Sequence, residues 1–300
     1  MNGFPKDTRV CFIGDSITHD NGFISRIVAF YNKHCKERNV NFYNCGIGGA
    51  HVDTVFPILE RDVLSHNPTH AVIMYGMNDS ERSLLSKERT MERYGKLTAA
   101  FELYKNNLSK LCDRLKEHGV EIILCTPTPY DEYQSESTDA HRGGYALIKG
   151  YADYVMTFAK EKGYAVCDFN GYLTAKMQER VLINTDRVHP NEDGHYCMAE
   201  CFLRFQGFDE GVDKEIPEYL DRWRKLVQIH RDIHMTEYFI VKDYSLTDAQ
   251  RLEKVKEYIE NKLDNNDRGL FFKLTKSYME NKPHQSEIEN ELNTIMENKE

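Results

Sequence analysis

Arg9-Val10-Cys11-Phe12-Ile13-Gly14-Asp15-Ser16-Ile17-Thr18 reads as a strand that ends in a sharp turn. Its first five residues are mostly β-branched or aromatic and suit a pleated, buried segment. Gly14, Asp15 and Ser16 are residues of turns and helix caps. Four more short runs have the same strand composition: Asn41–Cys45, His70–Tyr75, Glu121–Cys125 and Tyr164–Asp168. Most are bounded by Gly, Pro or Asn. Between them the apolar residues take helical spacing. Phe23–Glu37 carries Ile24, Ile27, Val28 and Tyr31 on one stripe. Thr98–His118 carries Phe101, Tyr104, Leu108, Leu111 and Leu115, with Gly119 as a stop signal. Tyr145–Lys162 and Glu192–Phe205 also read as helices. Strands that alternate with helices predict a parallel sheet covered on both faces. The expected fold is therefore a doubly wound α/β domain over residues 6–208.

Residues 209–300 differ in character, being charged and helical. Tyr219, Leu220, Trp223, Leu226 and Val227 share one helical stripe, and Pro217 suits its first turn. Leu252, Val255, Ile259 and Leu263 form another stripe, with Thr247 and Gln250 spaced as a capping box before it. Two further short helices are expected before Glu300. This C-terminal extension is expected to be structural rather than catalytic, through packing on the main domain, with a partner-binding or a dimer surface as the alternatives.

With 300 residues there is room for one large domain and a smaller appendage. A net charge of -9 opposes a nucleic-acid surface, which needs a basic field. Met1-Asn2-Gly3-Phe4-Pro5-Lys6-Asp7 lacks the basic, apolar and small-residue order of a signal peptide. No segment approaches the roughly 20 apolar residues of a membrane span. The expectation is a cytoplasmic protein without integral membrane contact. The 8 cysteines fall in strand-like or helix-like runs without a CxxC pair, and they read as reduced, buried thiols. No HExxH and no close histidine pair stands out, so neither a metal nor a cofactor is expected.

In open parallel sheets, functional sites lie beyond the carboxyl ends of the strands. The first strand runs into Gly14-Asp15-Ser16-Ile17-Thr18. The second runs into Asn44-Cys45-Gly46-Ile47-Gly48-Gly49-Ala50, and the third into Gly76-Met77-Asn78-Asp79. The glycines after the second strand do not form a dinucleotide loop, because His51 stands where GxGxxG needs its third glycine. Late in the domain comes Asp186-Arg187-Val188-His189-Pro190, just before a helix start at Asn191-Glu192-Asp193. Each piece alone is ordinary turn chemistry. Together they supply a nucleophilic hydrolase. Ser16 is the nucleophile, His189 the base that takes its proton, and Asp186 the carboxylate that orients the imidazole. The backbone N–H groups of Ser16 and Gly49 and the Asn78 amide can form an oxyanion hole. The GxSxG elbow of the α/β-hydrolases is absent, so another scaffold is required.

In these four blocks, and in their order, the sequence resembles the SGNH hydrolases, also called the GDSL lipase/esterase family. By that resemblance Ser16, Gly49, Asn78 and His189 match the four name-giving residues, and Asp186 matches the acidic triad member. Ile17 stands in place of the Leu of GDSL, at an apolar packing position. The resemblance covers roughly residues 8–206 and stops short of the C-terminal helices. It implies a flavodoxin-like three-layer sandwich with a five-stranded parallel sheet of order 2-1-3-4-5. It also implies serine-dependent hydrolysis of a carboxylic ester in a small molecule. Family habit and the polar stretch Asp131–Gly144 favour a short acyl group, such as acetyl on a carbohydrate. The alternatives are a lysophospholipase or thioesterase, or an inert binding module on the same scaffold. Tyr130, Tyr133 and Arg142 are candidates for contacting a sugar or a polar acyl donor, and residues 131–144 for a substrate loop or lid, the plain alternative being a disordered surface loop. His19 and His51 flank the first two blocks and are read as pocket-lining or plain turn residues.

Overall fold

A computed structural model describes residues 3–86, 89–133, 141–209, 211–243, 245–262 and 270–297. The chain divides into two compact units, Met1–Glu215 and Ile216–Glu300.

The first unit is built on five strands: β1 (Arg9–Gly14), β2 (Asn41–Asn44), β3 (His70–Met74), β4 (Glu121–Cys125) and β5 (Ala165–Cys167). They form one sheet of order β2-β1-β3-β4-β5, with every pairing parallel. This is the expected flavodoxin-like order. Val10, Cys11, Phe12 and Ile13 are all buried, as a central strand covered on both faces requires. The helices are α1 (Ser16–His19), α2 (Gly22–His34), α3 (Leu59–Asp62), α4 (Met91–Glu117), α5 (Gly144–Lys162), α6 (Phe169–Lys176) and α7 (Glu192–Phe205). Phe12 of β1 meets Phe23 of α2 and Phe202 of α7, and Phe23 meets Phe169 of α6. Tyr104 of α4 packs on Tyr151 of α5. Each fully buried aromatic of this kind contributes roughly 2–3 kcal/mol through the area it removes from water.

Several boundaries differ from the sequence expectation, each for a local reason. Helix α2 stops at His34, because Cys35 leaves the helical region at φ -137 and ψ 27, ahead of a separate 3-10 turn at Lys36–Arg38 that ends on left-handed Asn39. Helix α4 begins at Met91, capped by the Thr90 side chain accepting from the Arg93 N–H. Strand β5 ends at Cys167, because Asp168 accepts from the Gly171 N–H and starts α6, a helix that periodicity did not suggest. The first unit also continues past residue 208. The Phe208 ring packs at a tilt on Phe30 and edge-on to Tyr31, Val212 is buried, and Lys33 pairs with Asp213 at 2.8 Å.

The second unit contains α8 (Glu218–Thr236), α9 (Asp248–Lys262), α10 (Leu270–Asn281) and α11 (Gln285–Glu297). Pro217 lies one residue ahead of α8, where it caps the helix instead of occupying the first turn. A π-helical turn over Glu237–Val241 follows α8. Leu226, Ile233, Ile240, Val241, Val255, Tyr278 and Ile288 form the core. The capping box before α9 is present in both arms: Thr247 N–H donates to Gln250 Oε1 and Gln250 N–H to Thr247 Oγ1. Leu263 lies outside the described residues. A buried ion cluster ties the unit together. The Glu237 carboxylate accepts from Lys282 Nζ at 2.8 Å, Arg251 Nη1 at 3.1 Å and the Tyr278 hydroxyl at 3.3 Å. The two cations outweigh the burial that would raise Glu237 and hold it below the usual glutamate value. No helix among the described residues is long and apolar enough to cross a membrane.

Candidate active site

The order β2-β1-β3 means that the chain leaves the carboxyl ends of β1 and β3 in opposite directions and opens a crevice there. The turns after β1, β2 and β3 surround it. Gly14 closes β1 where no side chain fits: a Cβ would stand 2.2 Å from Thr18 Oγ1 and 2.6 Å from the Met74 carbonyl. Buried Asp15 then caps α1, its Oδ1 accepting the Ile17 N–H at 3.0 Å. This sets Ser16 at the first position of α1, half-exposed to the crevice. Ile17 is buried, as an apolar packing position should be. Burial pushes the Asp15 carboxyl up to about 6; the Ile17 N–H opposes that rise and the charge of Asp79 adds to it.

The turn after β2 is stitched to the first. Asn44 Nδ2 donates to the Thr18 carbonyl at 2.8 Å, and Asn44 Oδ1 accepts the Gly46 N–H at 2.8 Å. Gly46 lies so close to His19 that a Cβ would come within 2.3 Å of the His19 nitrogen. Ile47 N–H donates to Gly14 O. Gly49, in the left-handed region at φ +72, and Gly48 then face outward, with Gly49 exposed. The turn after β3 is joined to this one by two side chains. Asn78 Nδ2 donates to the Ala50 carbonyl at 3.0 Å. Asp79 accepts from Val52 N–H at 2.9 Å and from Gly76 N–H at 3.1 Å. Asp79 is buried and raised to about 6, its desolvation outweighing those two hydrogen bonds and the nearby His51. Its bridging role was missed in the sequence, where an Asp after a strand looks like turn chemistry.

Ser16 Oγ lies 2.7 Å from His189 Nε2, and His189 Nδ1 lies 2.7 Å from Asp186 Oδ2. The same carboxylate turns its Oδ1 back to accept the Val188 and His189 N–H groups, each at 2.9 Å. Burial acts to raise Asp186. The bonds from the His189 ring and from the two backbone N–H groups, with the histidine charge, outweigh it and bring the carboxyl down to about 2. Asp186 is therefore a carboxylate at any ordinary pH. With its proton on Nδ1, the imidazole presents Nε2 as an acceptor for the serine O–H.

The spacing of three between Asp186 and His189 works because Arg187 adopts a left-handed conformation, φ +67. Its guanidinium is buried and donates from Nη1 to the carbonyls of Asp131 and Glu132, both at 2.9 Å. The Asp131 N–H returns a bond to Arg187 O. The turn that carries the histidine is thus clamped to the segment after β4. Glu132 in turn accepts from Gly143 and Tyr145 N–H groups at the start of α5. Residues 134–140, the middle of the expected lid, lie outside the described residues.

Tyr130 does not serve as expected. It is buried with Met77, Ile148 and Val188 and accepts the His141 N–H, so it packs the wall instead of facing solvent. Tyr133, 81% exposed, and Arg142, also exposed, remain on the surface. His19 ends α1 against Gly46, and His51 opens the 3-10 turn Val52–Ile58, its N–H donating to Thr54 Oγ1. All eight cysteines are buried thiols outside any disulfide. The expectation that no histidines pair closely needs correction. His230 and His234, four residues apart on α8, meet because that spacing stacks side chains on one helix face.

A flavodoxin-like sheet with a hydrogen-bonded serine, histidine and aspartate at its carboxyl edge is the arrangement of a serine ester hydrolase. Residues 12–196 match the GDSL-like Lipase/Acylhydrolase family, and the chain belongs to that family. An acetylxylan esterase from Geobacillus stearothermophilus is 26% identical over 223 residues, 67% of this chain and 94% of that one. An uncharacterized lipoprotein, YqeF of Bacillus subtilis (strain 168), is 22% identical over 60% of this chain and 76% of its own. Among solved structures, a gut microbial diltiazem-metabolizing enzyme aligns with a TM-score of 0.78 at 17% identity, over 99% of this chain and 96% of that one. An acetylxylan esterase structure from Geobacillus stearothermophilus aligns with a TM-score of 0.58 at 23% identity, over 70% of this chain and 98% of that one.

Proposed function

We propose that the chain removes a short acyl group, acetyl in the first instance, from a carbohydrate or a similarly polar alcohol, with Ser16 as the nucleophile. The observation that carries the reading is the continuous relay from Ser16 Oγ through His189 to Asp186, with both links at 2.7 Å. His189 takes the serine proton through Nε2 as Oγ attacks the ester carbonyl. Asp186 holds the imidazole in the tautomer that can accept and offsets its positive charge once it has done so. Negative charge develops on the former carbonyl oxygen. The backbone N–H groups of Ser16 and Gly49 and the second N–H of the Asn78 amide meet it there. The alcohol leaves with the proton from His189, and water repeats the steps in reverse on the acyl-enzyme.

The acyl length and the alcohol rest on two supports. One is the likeness to an acetylxylan esterase over 94% of that enzyme. The other is the polar character of the 131–144 stretch, which includes the exposed Tyr133 and Arg142. A panel of p-nitrophenyl esters from acetate to palmitate, assayed beside acetylated xylo-oligosaccharides, tests it. Acetate and the acetylated sugars are expected to give the highest kcat/KM. A preference for palmitate would turn the assignment towards a lysophospholipase.

A further inference from the structure

Ser16, Gly49, Asn78, Asp186 and His189 all belong to the first unit, and the second unit brings three metal-type ligands together. We propose that His230, His234 and Glu289 form a binding site for a divalent zinc ion that ties α8 to α11. His230 Nε2 lies 3.2 Å from His234 Nε2 and 3.5 Å from Glu289 Oε1. All three ligand atoms fall within 4.8 Å of one another.

Tetrahedral geometry sets what those distances ought to be. Bonds of about 2.0–2.1 Å to zinc place neighbouring ligand atoms about 3.3–3.4 Å apart. Both separations from His230 Nε2 are already close to that value. The third closes by turning the Glu289 side chain, which is 42% exposed and has room to move. The i, i+4 spacing of the two histidines brings their rings to 4.4 Å between centroids on one face of α8. They converge through Nε2, the nitrogen that points away from the backbone.

Two further contacts hold the third ligand in place. Gln285 Nε2 donates to Glu289 Oε1 at 2.7 Å, one turn earlier on α11. Outer contacts of this kind orient a ligating carboxylate. Arg222 of α8 grips Glu291 of α11 through both carboxylate oxygens, at 2.7 and 2.9 Å, and so fixes the register between the two helices.

The ligand types decide the metal. Two imidazoles and one carboxylate suit zinc and its transition-metal neighbours, whereas magnesium and calcium prefer oxygen ligands alone. Two neutral imidazoles and one carboxylate leave a single net positive charge on the bound ion. Three protein ligands leave a fourth position, which water can fill because His230 is 30% exposed. Without metal, one imidazole donates to the other and Glu289 pairs with His230. The ion exchanges those contacts for three coordinate bonds, and it stabilises the folded unit in proportion to its binding.

The test uses the full-length chain, stripped with a chelator and desalted, then titrated with zinc chloride in a calorimeter. One equivalent is expected to bind with a dissociation constant on the order of micromolar or tighter, and thermal unfolding should move to higher temperature. His234→Ala and the shape-conserving Glu289→Gln should each weaken binding by about 10-fold or more. Should His234→Ala misfold by circular dichroism, Glu289→Gln alone decides. Cobalt as the probe separates this site from the cysteine thiols, because nitrogen and oxygen ligands give visible bands without a thiolate charge-transfer band. Failure of the wild-type chain to bind zinc at about 100 μM, unchanged binding in Glu289→Gln, or a thiolate-type cobalt spectrum would each overturn the proposal.

Discussion

Two side chains that never exchange a proton with substrate carry testable roles at the residue scale. Asn78 already spends one amide hydrogen on the Ala50 carbonyl, which orients the other. Asn78→Ala is expected to lower kcat by about 10²–10³ with little change in KM, measured on p-nitrophenyl acetate. A rise in KM alone would make Asn78 a binding residue. Asp15 bears on stability. Its carboxyl is held near 6 in the folded chain, above the ordinary 3.8, chiefly because it is buried. A raised folded value means that the native state binds the proton more tightly than the unfolded chain does. The resulting stability is complete below about pH 4 and is lost as pH rises through about 6. Asp15→Asn keeps an acceptor for the Ile17 N–H and removes the charge. The fall in urea-unfolding free energy between pH 5 and pH 8 should therefore shrink by about 1–2 kcal/mol. An unchanged fall would mean that Asp15 is not the group responsible.

At the scale of elements, the turn Asp186–His189 is the piece the sequence shows least. Its aspartate and histidine are plain from their spacing and their place before α7. The left-handed backbone at Arg187 is not, because an arginine gives no hint of positive φ. Only the structure shows that its guanidinium holds two carbonyls of the segment after β4. If backbone conformation were all that mattered, Arg187→Gly would relieve strain and do no harm. Because the clamp positions the histidine, Arg187→Gly and Arg187→Ala are each expected to lower kcat by about 10-fold or more. Wild-type kcat in the glycine variant would contradict this. The strands were legible to within a residue or so, because β-branched and aromatic runs between turn residues have few other readings. The first turns of α4 were not, since Met91 and Tyr94 face solvent and leave no apolar stripe. Helix α6 was hidden by its cap, because Asp168 reads as the end of a strand. His230 and His234 were overlooked for a different reason. Between them stand Arg231, Asp232 and Ile233, and nothing but helical geometry shows that they meet.

For the whole molecule, the question is what the second unit contributes. The triad, the three turns and the sheet all belong to the unit that ends at Glu215. A chain cut at residue 208 would discard buried Val212 and the Lys33–Asp213 pair, and with them part of the first unit's own packing. A chain ending at residue 215 keeps both. It is expected to retain the triad geometry, and so to react with a fluorophosphonate probe, even if its solubility falls. A folded, monomeric 1–215 chain that does not react would mean that the C-terminal helices complete the site.

The most direct measurement is the position of that label in the full-length chain. After reaction with a fluorophosphonate at neutral pH, digestion and mass spectrometry should find the adduct on Ser16. Labelling should vanish in Ser16→Ala and fall by about 10³-fold or more in His189→Ala. An adduct on another serine, or undiminished labelling without His189, would contradict the relay from Ser16 through His189 to Asp186.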